Sequence, residues 1–186
     1  NLMLAVDISG SMQVEDMVLK DRRVNRLQVV KEVVGDFVQQ RAGDRLGLIL
    51  FGSQAYLQTP LTFDRDTVGI QLQEALPGFA GQATAIGDAI GIAVRTLRER
   101  PAESRVLILL TDGANTAGSN PREAAEVAAE AEIRIHTIGV GADRKLERGL
   151  FGSTHEVNPS RELDEQMLRH VAYRTGGHLC RARAPQ

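Results

Sequence analysis

The chain has 186 residues, which fits one α/β domain on the usual scale of about 100 to 200 residues per domain. Its 42% hydrophobic content argues against disorder, and 22 basic residues against 24 acidic ones leave a formal net charge of −2. No basic stripe with interleaved aromatic residues is present, so we predict no nucleic-acid partner. Aromatic residues make up only 4% and Trp is absent, so Val, Ile, Leu and Ala must fill the core, as in a parallel sheet buried on both faces.

The single cysteine, Cys180, excludes an intrachain disulfide, and its place in a predicted strand favours a buried, small apolar residue. No apolar run reaches the roughly 18 residues that span a bilayer. The chain begins at Asn1 without Met and enters a strand at once. We therefore expect residues 1–186 to form a single domain taken from a longer protein, with any membrane segments outside it.

The first half of the chain predicts strand, helix and then a strand pair. Leu2–Asp7 is a short apolar run that ends in an acid, and Val24–Arg41 carries apolar residues at helical spacing. Arg45–Phe51 and Ala55–Thr59 read as strands joined by a three-residue turn. So short a connection allows a hairpin but no parallel crossover.

The second half continues the alternation of helices and strands. The predicted helices are Asp64–Leu76, Thr84–Arg98, Pro121–Ala131 and Leu163–Thr175, and the predicted strands are Arg105–Asp112, Ile133–Val140 and His178–Ala182. Asn120 is a suitable cap for the helix that has Pro121 in its first turn. Alternation of this kind predicts a doubly wound, mostly parallel α/β sheet with helices on both faces. Ligands of such sheets bind at the carboxyl ends of the strands, near the switch in strand order.

Polar side chains cluster where two of these strands end. The first strand runs into Asp7-Ile8-Ser9-Gly10-Ser11, and the strand after Arg105 runs into Thr111-Asp112-Gly113. An extended segment leaving a strand points alternate side chains to one side, which groups the oxygens of the first motif. A third polar segment, Gly81–Thr84, precedes an apolar helix. These loops together offer five candidate ligands: Asp7, Ser9, Ser11, Thr84 and Asp112.

All five candidate ligands are oxygen donors, which suit hard cations rather than metals that seek imidazole or thiolate. Two acids and three hydroxyls do not encage a dication fully, and Mg²⁺ commonly keeps waters or takes ligands from elsewhere. The open position favours an anionic oxygen, such as the carboxylate of an Asp or Glu on a protein partner.

The motif Asp7-x-Ser9-x-Ser11, with Thr84 and Asp112, resembles the metal-ion-dependent adhesion site (MIDAS) of von Willebrand factor A (VWA) domains. The resemblance covers essentially the whole chain. It implies a Rossmann-like six-stranded sheet with one antiparallel edge strand, and Mg²⁺ as the cofactor, with Mn²⁺ or Ca²⁺ as alternatives. It also implies that Ser9, Ser11 and Thr84 touch the metal, whereas Asp7 and Asp112 act largely through water and by orienting the hydroxyls.

A narrower resemblance points to the bacterial Bat aerotolerance group. It is carried by the runs Met3–Met12, Thr84–Ile90, Arg105–Gly118, Ile135–Gly141 and Leu168–Ala182. It implies a domain anchored in the bacterial inner membrane through flanking helices and facing the periplasm. It also implies MoxR-type AAA+ ATPases or other Bat-type proteins as partners.

The function predicted from these observations is a cation-dependent protein-interaction module without enzymatic activity. One alternative is a Mg²⁺-dependent phosphohydrolase of the haloacid dehalogenase type, but that mechanism needs a second Asp two residues after Asp7, where Ser9 stands. Another alternative is a VWA fold that binds through a different surface and has a vestigial metal site. The segment 13–25 beyond the site, with its basic run Lys20–Arg26, is interpreted as a solvated connector; its alternative role is a rim that contacts the partner.

Overall fold

The computed structural model describes residues 1–113, 115–141, 147–148, 154–155 and 159–182, with side chains described outside 142–164. The strands are β1 Leu2–Asp7, β2 Met17–Leu19, β3 Arg22–Val24, β4 Leu46–Phe51, β5 Ala55–Thr62, β6 Val106–Thr111, β7 Arg134–Val140, β8 Glu147–Arg148, β9 Thr154–His155 and β10 Leu179–Ala182. The α-helices are α1 Arg26–Gln39, α2 Arg65–Glu74, α3 Ile86–Leu97, α4 Pro121–Glu130 and α5 Pro159–Arg174.

Six of the described strands form one sheet in the order β10-β7-β6-β1-β4-β5. Strand β5 is antiparallel to β4 at one edge, and the other neighbouring pairs are parallel. The chain moves outward from β1 to β4 in one direction and from β6 to β7 in the other, so the switch in strand order lies at β1 and β6. The predicted Rossmann-like sheet with an antiparallel edge strand is confirmed.

Helices cover both faces of the sheet because the strands in its centre are apolar on both sides. Along β1, Met3 and Ala5 face a core built with α3, α4 and α5, whereas Leu2, Leu4 and Val6 face a core built with α1 and α2. This alternation follows from the two-residue period of a strand. No helix among the described residues is long and apolar enough to cross a membrane.

The predicted elements are present, with shifts at their ends that have local causes. Helix α1 begins at Arg26 because Asn25 caps it: the Asn25 side chain accepts from the Gln28 amide at 2.8 Å, and the Gln28 side chain accepts from the Asn25 amide at 3.0 Å. Helix α4 begins at Pro121, and Asn120 caps it as predicted. Helix α5 begins at Pro159 rather than Leu163, since proline suits the first helical position.

Most of the segment 13–25 is exposed, as predicted, but β2 and β3 pair there as an antiparallel hairpin whose turn holds Lys20 and Asp21 at positive φ. The last residue of the basic run, Arg26, differs from the solvated residues before it, because its side chain is largely buried. The prediction for Cys180 was wrong: it is exposed rather than buried, because β10 lies at the edge of the sheet.

Candidate metal centre

The predicted site begins where the two central strands β1 and β6 end side by side. Their parallel register sets Val6 beside Leu110, so Asp7 and Thr111 are neighbours at the carboxyl edge of the sheet. The Thr111 hydroxyl donates to Asp7 Oδ2 at 2.7 Å, and the Ser9 amide donates to Asp7 Oδ1 at 2.8 Å. Asp7 is completely buried. Both of its carboxylate oxygens are thus fixed by the protein.

Ser9 and Ser11 stand together on the loop that leaves β1. Ser9 is buried, and a 3₁₀ helix over Gly10–Gln13 brings the Ser11 hydroxyl to 3.0 Å from the Ser9 hydroxyl. Two neighbouring ligands of an octahedral Mg²⁺ lie about 3.0 Å apart when both metal–oxygen distances are about 2.1 Å. The serine pair therefore fits adjacent corners of a Mg²⁺ octahedron.

Thr84 lies on the loop before α3, which contacts the serine loop and the loop after β6. The Gly10 amide donates to the Gln82 carbonyl at 3.2 Å, which attaches the Thr84 loop to the serine loop. On the other side, the Thr84 amide donates to Thr116 Oγ1 at 2.9 Å, and the Thr84 carbonyl accepts from the Thr116 amide at 2.9 Å. Thr84 itself is buried. Its position is fixed between the two loops that carry the other predicted ligands.

Asp112 follows β6 and belongs to an ion-pair network that the sequence reasoning missed. Arg26 Nη1 donates to Asp112 Oδ2 at 3.1 Å, while Arg26 Nε and Nη2 donate to the two oxygens of Asp16 at 3.0 and 2.8 Å. The side chains of Arg26, Asp16 and Asp112 are 14%, 8% and 6% exposed. Asp16 and Arg26 flank the β2–β3 hairpin, so this network joins the hairpin to the candidate site.

The electrostatics of the site are dominated by two neighbouring carboxylates. The pKa of Asp7 is raised from the ordinary 3.8 to about 6, first by burial and then by the negative charge of Asp112, against the hydrogen bonds from Ser9 and Thr111. A divalent cation beside both acids would offset the burial and the repulsion. The donor set therefore fits a hard dication: two carboxylates and three hydroxyls, all of them oxygen.

Four of the five predicted ligands are joined by these contacts. Asp7 and Asp112 interact electrostatically, the Asp7 carboxylate binds the Ser9 amide, and Ser9 contacts Ser11. The fifth, Thr84, is on a loop that the bond from the Gly10 amide to the Gln82 carbonyl joins to the serine loop. Which of these residues hold a metal stays a prediction.

The comparison with protein families decides what kind of domain surrounds this site. The profile of the von Willebrand factor type A domain matches residues 1–172. The chain belongs to this family. Similar solved VWA structures include an aerotolerance-related membrane protein from Bacteroides fragilis, with 29% identity, a TM-score of 0.77, and coverage of 97% of this chain and 90% of that one. The predicted resemblance to aerotolerance-related VWA proteins is confirmed.

Two further structures extend the comparison. An uncharacterised membrane-spanning protein from Vibrio fischeri is 52% identical over 98% of this chain and 90% of that one, with a TM-score of 0.51. Proximal thread matrix protein 1 of the mussel byssus, 19% identical with a TM-score of 0.67 over 99% of this chain and 43% of that one, was solved with zinc in its MIDAS motif. At that identity the likeness to this VWA domain shows the fold alone.

A curated relative shows that the VWA domain can be part of a longer protein. An uncharacterised protein of Borreliella burgdorferi is 31% identical over 186 residues, which cover 95% of this chain and 52% of the relative. The chain thus spans about half the length of the curated relative that it matches.

Proposed function

We propose that this VWA domain is a divalent-cation-dependent protein-interaction module, in which Mg²⁺ bridges the site at the ends of β1 and β6 to a carboxylate of a protein partner. The observation that carries the proposal is the serine pair, Ser9 and Ser11, with hydroxyls 3.0 Å apart beside the buried carboxylate of Asp7. The family's fold is one that serves metal-dependent adhesion and interaction.

The residues that would hold the ion divide into two groups. Ser9, Ser11 and Thr84 would supply neutral hydroxyl oxygens to the metal, and Asp7 and Asp112 would supply negative charge and orient the hydroxyls and bound water. The spacing of the serine oxygens fits Mg²⁺, and Mn²⁺ of similar size. When bound, the ion provides a Lewis-acidic position for an anionic oxygen.

The partner's chemistry follows from the ligands that the site lacks. Three neutral hydroxyls leave coordination positions that water or an outside ligand must fill, because Mg²⁺ requires six oxygens in near-octahedral geometry. An Asp or Glu side chain of a partner supplies both the oxygen and a negative charge. We therefore infer that partner binding requires an acidic residue on the partner.

The burial of Asp7 argues against a phosphohydrolase. In that mechanism the acid at the end of the first strand attacks phosphorus, so it must reach the substrate. Asp7 has no exposed surface, and its two oxygens accept from Ser9 and Thr111. A carboxylate held in this way suits support of a metal site better than nucleophilic attack.

We also propose a cellular setting from the relatives. Neighbours in the structural comparison are named as an aerotolerance-related membrane protein and as a membrane-spanning protein. We infer that this VWA domain is held at the bacterial inner membrane by segments outside residues 1–186 and faces the periplasm. Candidate partners on that side of the membrane are other Bat-type proteins. A MoxR-type AAA+ ATPase needs ATP, so it is a candidate partner only for a domain that faces the cytoplasm.

Calorimetric titration of Mg²⁺ and Mn²⁺ into chelator-stripped protein tests the metal site. We expect saturable binding that is lost in the Ser9→Ala/Ser11→Ala variant and retained in Thr96→Ala. Thr96 is a suitable control because its hydroxyl bonds only the Ile92 carbonyl of its own helix, at 2.9 Å, among the contacts described. Binding that survives the double serine substitution would place the ion elsewhere.

Partner binding is tested by mixing the domain with a purified MoxR-type ATPase from the same organism, in the presence of Mg²⁺ and in the presence of chelator. We expect an interaction that disappears in chelator and in Ser9→Ala or Thr84→Ala. An interaction that is undiminished in all three cases would mean that the domain binds through another surface and that the metal site is vestigial.

A further inference from the structure

The guanidinium of Arg26 is built into the candidate metal centre rather than lying on the surface of its helix. It stands at the first position of α1, and its three bonds of 2.8 to 3.1 Å run to Asp16 on one side and Asp112 on the other. The Arg26 amide also donates to the Val14 carbonyl at 3.2 Å, which closes the base of the β2–β3 hairpin. A planar guanidinium fixed by two carboxylates cannot turn away from the site without breaking these bonds.

Arg26 is a positive charge set among acidic side chains. It pairs with Asp16 and Asp112, and Asp112 in turn interacts with Asp7, so the guanidinium lies within the same electrostatic cluster as the predicted ligands. Because these side chains are mostly buried, water screens their mutual interaction less than it would on the surface. A change of one unit charge in this cluster must therefore alter the affinity for a cation.

We propose that Arg26 determines the charge selectivity of the metal site: its fixed positive charge, paired with Asp16 and Asp112, tunes the site to divalent ions and disfavours trivalent ones. This inference rests on the proposed function, since it requires that a cation binds beside Asp112. Arg26 acts through electrostatic repulsion of the ion, and this repulsion grows with the charge of the ion. Its absence strengthens the binding of a trivalent ion more than that of Mg²⁺.

Arg26 also orients the carboxylate of Asp112, and loss of this contact alone would weaken metal binding by about 10- to 100-fold, as for other groups that support metal ligands. The two effects are separated by a series of variants with different net charge. Arg26→Met gives the cluster one more negative charge than the wild type, Asp16→Asn gives one fewer, and Arg26→Met/Asp16→Asn restores the wild-type charge without the ion pair. The double variant therefore measures the orienting effect by itself.

The experiment is calorimetric titration of Mg²⁺ and of Tb³⁺ into each chelator-stripped protein at low ionic strength and pH 7. We expect Arg26→Met to bind Mg²⁺ at least tenfold more tightly than the double variant, and Asp16→Asn at least tenfold more weakly than the wild type. The preference for Tb³⁺ over Mg²⁺ should rise at each step toward greater negative charge. Arg23→Met is the matched control, because Arg23 is an exposed arginine of the same hairpin. The ratio of its Tb³⁺ affinity to its Mg²⁺ affinity should differ less than threefold from that of the wild type.

The possible outcomes distinguish this inference from the proposed function. A wild-type protein that binds Mg²⁺, with a Tb³⁺-to-Mg²⁺ ratio that is the same in all variants, would overturn the role of Arg26 and leave the metal site standing. A wild-type protein that binds neither ion would overturn both. If Arg26→Met does not fold because Asp16 and Asp112 lose their bonds to Arg26, the Tb³⁺-to-Mg²⁺ affinity ratios of Asp16→Asn and the double variant still decide, since these two also differ by one charge.

Discussion

Replacing Asp7 with Asn should separate the stability of this VWA domain from its ability to bind metal. The substitution removes a negative charge from a completely buried position but keeps the shape of the side chain. The oxygen of Asn can still accept from the Ser9 amide. Its NH₂ group can donate to the Thr111 hydroxyl, which already accepts from the Gly113 amide and has one lone pair left. The buried Thr111 O–H then loses Asp7 as its acceptor, so part of the gain from removing the buried charge is offset.

The size of the effect follows from the pKa of Asp7. The folded protein holds this carboxyl at a pKa of about 6, against an ordinary value of 3.8 that applies to the unfolded chain. The folded state thus binds more protons than the unfolded state between these two values. The free energy of unfolding therefore falls as the pH rises from about 4 to about 6. At pH 7 the buried charge costs about 3 kcal/mol without a metal ion. We expect Asp7→Asn to recover about 1 to 3 kcal/mol of this cost.

The assay is urea unfolding followed by far-ultraviolet circular dichroism, in chelator and in saturating Mg²⁺. In chelator at pH 7 the variant should unfold at higher urea concentration than the wild type, and the difference should shrink toward zero near pH 4, where Asp7 is protonated. An ion at 100 times its dissociation constant stabilises the folded state by about 2.7 kcal/mol. Mg²⁺ should therefore raise the stability of the wild type and leave that of the variant unchanged.

Asp88→Asn is the control for charge removal at a carboxylate that the fold stabilises. The side-chain hydroxyl and the backbone amide of Ser119 both donate to Asp88 Oδ1, and these two bonds lower the pKa of Asp88. Removal of that charge should reduce stability at pH 7, which is the opposite sign to Asp7→Asn. If Asp7→Asn also proves less stable than the wild type in chelator at pH 7, the carboxylate is not a destabilising charge and our reasoning about the site fails.

Three further predictions test the site and the fold that supports it. Gly81 has φ of 97°, and an added Cβ would lie 2.3 Å from Ser53 Oγ, so Gly81→Ala should lower the free energy of unfolding by about 2 to 4 kcal/mol in urea titration. The control is Gly43→Ala, at φ of 90° with open space around it, which should lower the free energy of unfolding by only about 1 kcal/mol. Asn115→Ala should weaken Mg²⁺ binding by about tenfold, because Asn115 Oδ1 accepts from the first amide of α3 at 3.0 Å and so holds the Thr84 loop; unchanged calorimetry would contradict this. Arg105→Met, at the opposite end of β6, should lose about 2 to 4 kcal/mol of stability because Arg105 donates to three backbone carbonyls, yet Mg²⁺ affinity should not change.

Much of the candidate site was predictable because its signals are local in the sequence. A buried parallel strand reads as an apolar run, and an acid at the end of such a run must lie at the carboxyl edge of the sheet. This reasoning places Asp7 and Asp112 at one edge, and the register of β1 with β6 agrees. The three-residue connection after β4 likewise requires a hairpin, so the antiparallel edge strand was predictable from chain length. The first helix was predicted to begin at Val24, two residues too early, because the cap formed by Asn25 and Gln28 was not identified from the sequence.

The sequence by itself determined the order of elements, the sheet type and the loops that carry the five predicted ligands. These follow from periodicity and from turn and cap residues, which act over a few positions. Only the tertiary structure decided that Arg26 binds Asp112, because the two residues are 86 positions apart and their helix and strand meet only when α1 packs onto the sheet. The pairing of β2 with β3 in the exposed segment before Arg26 was likewise visible only in the structure. A charge in a basic run is local information, but the carboxylate that pairs with it is fixed by the packing of the whole domain.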